Sequence, residues 1–225
     1  MRILVIRFSS LGDLVLTSSA IKSLHLAYPQ ADIFLLTKSR YKELATCIPH
    51  ISQVIVFEKK EKHRGLSGFF QLINELKAYN FDLIIDLHSN WRRFWVRILL
   101  PSAQKVKYNK RHLARFLLVN FEFLKVKPQH TIELYNSALR KLGIFNTGLL
   151  PELNLTKEDQ EWSTRFLAER KIFAGDFLVG LSPGAKWETK RWEKEKFAEV
   201  GKILSEKLNA KLIIFGDENE KDLID

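Results

Sequence analysis

Short β-branched or aliphatic runs alternate with longer segments of helical periodicity along the first half of the chain, and this alternation constrains the fold more than any other feature. The runs are Ile3–Arg7, Ile33–Leu36, Val54–Phe57 and Leu83–Leu87. Strands spaced by helix-length segments are joined by crossovers, so they predict a parallel sheet covered by helices. Leu14–Ala27 reads as one crossover helix, ended before Pro29. Leu66, Phe69, Phe70, Ile73 and Leu76 recur at three- and four-residue steps, which places them on one face of a second helix that stops before Asn80.

From Asn90 the pattern becomes helical and basic, with a short strand at Val106–Tyr108 and a helix at Thr131–Leu142 closed by Gly143. Asn146-Thr147-Gly148 followed by Pro151 is the best linker signal in the chain, and it divides the sequence into domains 1–150 and 151–225. The second domain begins with a helix at Lys157–Arg170. A strand-loop-helix-strand unit follows: Leu178–Leu181, the loop Ser182–Arg191, a helix Glu193–Leu208 with Phe197, Val200, Leu204 and Leu208 inward, and Leu212–Phe215. Two parallel strands cannot cover both of their faces, so this domain reads as incomplete. The fold class is α/β, a parallel-sheet unit followed by a second, shorter strand-helix-strand unit.

Composition closes off other classes. Of 225 residues 46% are hydrophobic and 28% charged, with 10 Gly and 6 Pro, which does not suit a disordered or collagen-like chain. A lone Cys47 supplies neither an internal disulfide nor a zinc cluster. No apolar run approaches the roughly 18 residues that span a bilayer, and Met1–Phe8 enters a strand without a cleavage site, so a cytosolic protein is expected.

The formal charge of +10 is concentrated. Between Trp91 and Lys127 stand Arg92, Arg93, Arg97, Lys105, Lys107, Lys110, Arg111, Arg115, Lys125 and Lys127 against Glu122 alone. Such a stretch suits phosphate groups on a substrate, an anionic membrane surface or nucleic acid, and its plainer reading is a solvated basic face. Trp91, Phe94, Trp95, Phe116 and Phe121 interleave with the cations, as an interfacial helix or a single-strand binder requires.

Two loops carry candidate chemistry, because ligands of open α/β sheets bind beyond the carboxyl ends of strands, where free N–H groups at helix starts meet anions. The first is Arg7-Phe8-Ser9-Ser10-Leu11-Gly12-Asp13. Asp13 at the helix start reads either as an N-cap or as a general base for a sugar hydroxyl. The second is Ser182-Pro183-Gly184-Ala185-Lys186-Trp187-Glu188-Thr189-Lys190-Arg191-Trp192. Adjacent cations at a helix entry oppose the macrodipole and call for an anion such as a diphosphate; the alternative is an exposed Lys-Arg pair with Trp187 and Trp192 on the core. Glu220, four residues after Gly216, reads as an acceptor for a sugar hydroxyl or as a solvated surface acid.

These motifs, taken in order, resemble a known family. Ser9 to Thr17 with Ala20-Ile21, then Tyr28-Pro29-Gln30-Ala31, Phe81 to Leu87, Ser182-Pro183-Gly184-Ala185, Lys190-Arg191-Trp192, and Phe215-Gly216 with Glu220, resemble glycosyltransferase family 9, the ADP-heptose:lipopolysaccharide heptosyltransferases. The resemblance implies a GT-B architecture of two Rossmann-like domains, the second incomplete here, and metal-free, cofactor-free transfer of heptose from ADP-heptose with inversion. Asp13 would be the base, with Ser9, Ser10, Gly12, Arg92 and Arg93 toward the acceptor. Ser182, Gly184, Lys186, Lys190, Arg191 and Glu220 would hold the nucleotide sugar. The implied acceptor is a phosphorylated lipid A and Kdo inner core, met at the cytoplasmic face of the inner membrane; nucleic acid is not an expected partner. The family pattern continues into a segment resembling Asp-Thr-Gly-x-x-His, which is not reached by Asp225. The alternative function is a non-catalytic remnant that binds anionic lipid or acceptor glycan.

Overall fold

The computed structural model describes residues 1–58, 60–88, 96, 98–101, 104–108, 129–145, 149–185 and 187–221. The chain forms two compact units, Met1–Leu155 and Thr156–Asp225. The division falls after Leu155 because the segment before it packs on the first unit. Glu152 donates its N–H to the Ser18 hydroxyl at 2.9 Å, and Asn154 donates its N–H to the Cys47 carbonyl at 2.7 Å.

The first unit is a five-stranded parallel sheet in the order β3-β2-β1-β4-β5. Its strands are β1 Arg2–Ile6, β2 Asp32–Lys38, β3 Gln53–Phe57, β4 Leu83–Asp86 and β5 Gln104–Lys107. Helices α1 Leu11–Ala27, α2 Lys42–Thr46, α3 Gly65–Lys77 and α4 Thr131–Arg140 accompany them. Central β1 shows why the early strands read as continuous apolar runs. Ile3 and Val5 enter one core with Leu14, Ile21, Leu24, Leu134 and Leu139, while Leu4 and Ile6 enter the other with Leu72, Ile73 and Leu76. Both faces are covered, as a parallel sheet requires.

Helix α1 is buried on most of its circumference yet carries Thr17, Ser18, Ser19 and Ser23 inside. Three of those hydroxyls donate to carbonyls of their own helix: Thr17 to Asp13, Ser18 to Val15 and Ser23 to Ser19. Small side chains let the helix sit close to the sheet, and this back-bonding removes most of the polar cost.

Helix α3 departs from the sequence expectation. Leu72, Ile73 and Leu76 are buried, but Leu66 is 77% and Phe70 54% exposed. The cause is Gly68, where a Cβ would lie 2.4 Å from the His63 carbonyl carbon. That close approach turns the 68–72–76 edge inward, and Leu66 and Phe70 fall outside it.

In the second unit α5 Lys157–Glu169 opens on a reciprocal cap. Thr156 Oγ1 accepts from the Asp159 N–H at 3.0 Å, and the Asp159 carboxylate accepts from the Thr156 N–H at 3.1 Å. Strands β6 Leu178–Leu181 and β7 Lys211–Ile214 are parallel neighbours joined through α6 Lys194–Leu208, a βαβ crossover. Asn209 ends α6 in the left-handed region, which asparagine tolerates better than most residues. Leu208, expected inward, is 54% exposed; the turn that hands the chain to β7 carries it past the buried edge marked by Gly201. Among the described residues no helix is long and apolar enough to cross a membrane.

Candidate active site

The strand order reverses at β1 and β4, so the polypeptide leaves these two adjacent strands in opposite directions and opens a crevice at their carboxyl ends. Arg7 follows β1 directly and is only 5% exposed. Its Nη1 donates to the Leu87 carbonyl at the end of β4, and its Nη2 lies 2.5 Å from Asp13 Oδ2. The guanidinium carbon stands 5.4 Å from the ring centre of Tyr135, on α4. Tyr108, after β5, meets Tyr135 edge to face at 5.4 Å. Four separate elements thus converge around one buried cation.

Asp13 occupies the third position of α1, whereas Ser10 is the N-cap, which corrects the expectation of Asp13 itself as cap. Its Oδ2 accepts from the Ser10 N–H at 3.1 Å and from the Ser10 hydroxyl at 2.8 Å, besides pairing with Arg7. All three contacts fall on one oxygen, leaving Oδ1 for another partner. Burial pushes this carboxyl up, but the Ser10 N–H and the Arg7 charge outweigh that and hold it below the usual aspartate range. The group is therefore ionised at neutral pH, one third exposed, and able to accept a proton from a hydroxyl placed against Oδ1.

Beneath it lie groups of opposite character. Burial raises the Tyr108 hydroxyl above its usual range, with the Arg7 charge opposing, and burial drives the Tyr135 hydroxyl up further still. Both stay protonated. The Tyr135 hydroxyl interacts with the Asp13 carboxylate but forms no well-aligned hydrogen bond among the described residues, and Arg7 Nε and His88 Nδ1 form none either. Asp86, at the end of β4, is buried and accepts the His88 N–H at 2.9 Å.

Ser9 is half-buried, and Ser10 and Gly12 are exposed beside Asp13. A Cβ on Gly12 would meet nothing within 4 Å, so the loop is open to a ligand there. Arg92 and Arg93 lie outside the described residues, as does Lys186. Sequence reasoning did not single out Arg7, Tyr108 or Tyr135. A cation ending an apolar strand was the available signal for Arg7; Tyr135 reads as an ordinary core aromatic.

In the second unit Ser182 is exposed, while Gly184 is half-buried with the Glu220 carboxylate packed against it. Glu220 Oε2 accepts from the Asp217 N–H at 3.2 Å. Two expected donor-site residues on separate loops are thereby brought together. Lys190 and Arg191 are exposed, and Arg191 Nε donates across the loop to the Ala185 carbonyl at 2.8 Å. Both cations lie just before α6, whose N-cap is Glu193, at the positive end of its dipole as the sequence suggested. Lys190 closes a 3₁₀ turn, Glu188–Lys190, and Arg191 caps it. Trp187 and Trp192 are 59% and 47% exposed, with Trp192 edge-on to Phe197 at 5.3 Å.

The sequence model of glycosyltransferase family 9 (heptosyltransferase) matches residues 69–224, well over half of the chain. The chain belongs to glycosyltransferase family 9. It is 26% identical over 193 residues to lipopolysaccharide heptosyltransferase 3 of Escherichia coli, an overlap of 84% of this chain and 56% of that protein. It is 21% identical over 201 residues to the lipopolysaccharide core heptosyltransferase OpsX of Haemophilus influenzae, covering 88% of this chain and 55% of the relative. The crystal structure of a family 9 glycosyltransferase from Veillonella parvula superposes with a TM-score of 0.84 at 24% identity, over 99% of this chain and 65% of that one. The family 9 fold is thus GT-B-like α/β, and this chain spans just over half the length of these curated relatives.

Proposed function

We propose that this family 9 chain carries the acceptor side and part of the donor side of an inverting heptosyltransferase that uses ADP-heptose. The observation that supports it most is Asp13, a carboxylate kept ionised at the carboxyl edge of the sheet with one oxygen occupied and the other left for a hydroxyl. In the reaction, Asp13 takes the proton of an acceptor hydroxyl as its oxygen bonds to the anomeric carbon of heptose. The bond from that carbon to the diphosphate breaks on the opposite face, and its electron pair leaves with ADP.

Lys190 and Arg191, with Lys186, meet the charge that develops on the diphosphate, where donors fixed in advance contribute most. Glu220, held beside Gly184, accepts a hydroxyl of the nucleotide sugar. The acceptor in this reading is a phosphorylated lipid A and Kdo inner core at the cytoplasmic face of the inner membrane, and the basic, aromatic stretch Trp91–Lys127 matches its phosphates and acyl surface in chemistry. Incubation with ADP-heptose and a Kdo-lipid A acceptor tests the reading. It predicts release of ADP together with an acceptor heavier by one heptose in inverted linkage; no product with both substrates saturating contradicts it.

A further inference from the structure

Arg7 is an expensive residue for this position. A buried guanidinium loses several kcal/mol of hydration, and its Nε finds no partner among the described residues, so the arrangement is not one that stability alone would favour. An apolar side chain there would continue β1 into the core. What the guanidinium does instead is join three fixed points: the Leu87 carbonyl, the Tyr135 ring and Asp13 Oδ2. Two of these belong to elements deep in the first unit, and the third is the carboxylate at the crevice.

We propose that Arg7 is a positioning residue for Asp13: anchored on Leu87 and Tyr135, it holds Oδ2 so that Oδ1 is the oxygen presented to the acceptor hydroxyl. The inference rests on the reading of Asp13 as the base. Geometry gives the arrangement its specificity, because the rigid planar fork aims one nitrogen at a carbonyl and another at a carboxylate, a fixed spacing that the single, freely rotating ammonium of lysine does not reproduce. The other groups around the pair are Ser10 at the helix start, Asp86 at the end of β4 with His88 just beyond it, Tyr108 after β5 and Tyr135 on α4. Ser10 and Arg7 hold Asp13 Oδ2, and the Tyr135 hydroxyl interacts with the same carboxylate, so removal of Arg7 leaves Oδ2 to Ser10.

The test uses the 225-residue chain with ¹³C-labelled aspartate carboxyls, the Asp13 resonance being assigned from Asp13→Asn. In Arg7→Gln the Asp13 midpoint moves up, and in Arg7→Lys it returns part-way. An unchanged midpoint in folded Arg7→Gln overturns the proposal; should that variant not fold, an unchanged midpoint in Arg7→Lys does so. In the transfer assay Arg7→Lys lowers kcat by about a hundredfold with little change in the acceptor KM, as misplacement of a reacting group does. Wild-type kcat in Arg7→Lys, with Asp13→Asn inactive, overturns the inference and spares the base; full activity in Asp13→Asn overturns the base itself.

Discussion

The Glu220 carboxylate fills the space beside Gly184: a Cβ on residue 184 would lie 2.1 Å from Cδ and Oε1 of Glu220 and 2.2 Å from Oε2. Glycine at 184 is what allows the acid to fold back over the loop after β6. Gly184→Ala swings Glu220 outward. Because the displaced atoms are the far end of a flexible side chain, the change in unfolding free energy stays within about 0.5 kcal/mol. If Glu220 accepts a hydroxyl of the nucleotide sugar as proposed, affinity for ADP-heptose should fall by about tenfold through the loss of one charge-assisted hydrogen bond. Thermal melting and titration calorimetry on the same variant separate the two effects.

Tyr135 makes a paired prediction about stability. Its ring is fully buried between Tyr108 and the first core, and its hydroxyl forms no well-aligned hydrogen bond among the described residues. Tyr135→Phe is expected to change stability by no more than about 1 kcal/mol, since the buried hydroxyl lacks such a bond and interacts with Asp13 without one. Tyr135→Ala empties the site and costs about 3–5 kcal/mol. Urea unfolding measures both.

The alternation of β-branched runs was enough to place β1 to β4, because β1, β2 and β4 are buried on both faces and the edge strand β3, buried on one, has a single polar residue. The capped α5 was equally legible, since Thr156 and Asp159 carry a local signal that needs no tertiary context. Helix α3 was harder. Its apolar residues cover more than one face, and which face turns inward depends on the contact of Gly68 with His63, a relationship that periodicity does not encode. The candidate site divides in the same way. Asp13 was visible from its place at the start of a helix after a strand, but its ties to Leu87 and Tyr135 run through Arg7 and join residues 80 and more positions apart.

The acid limb of stability follows from Asp13. Its folded carboxyl is held below the ordinary value of 3.8, so its contribution is fully present above that value and is lost as pH falls through the folded one. Wild type should therefore exceed Asp13→Asn in stability by a constant amount from pH 7 down to about 5, and the difference should shrink below about 4. Chemical unfolding at a series of pH values checks the sign; a gap that widens toward acid contradicts it.

Lys22 and Glu152, 2.5 Å apart and both partly exposed, fasten the segment that precedes the second unit. In Glu152→Gln the overall melting temperature should hardly move, because an exposed pair contributes little. The amides of Glu152 and Asn154, bonded to Ser18 and Cys47, should nonetheless exchange several-fold faster as the segment opens locally. Hydrogen exchange read residue by residue resolves this, with the amides of α1 as the unaffected reference.

The base assignment is the centre of the account, and Asp13→Asn tests it most directly because the amide keeps the shape of the carboxylate and cannot take a proton. With ADP-heptose and Kdo-lipid A supplied, the initial rate of ADP release in this variant should fall by roughly 10² to 10⁴, the usual contribution of a general base, while the acceptor KM stays near that of wild type. Release at the wild-type rate from folded Asp13→Asn would show that the proton goes elsewhere.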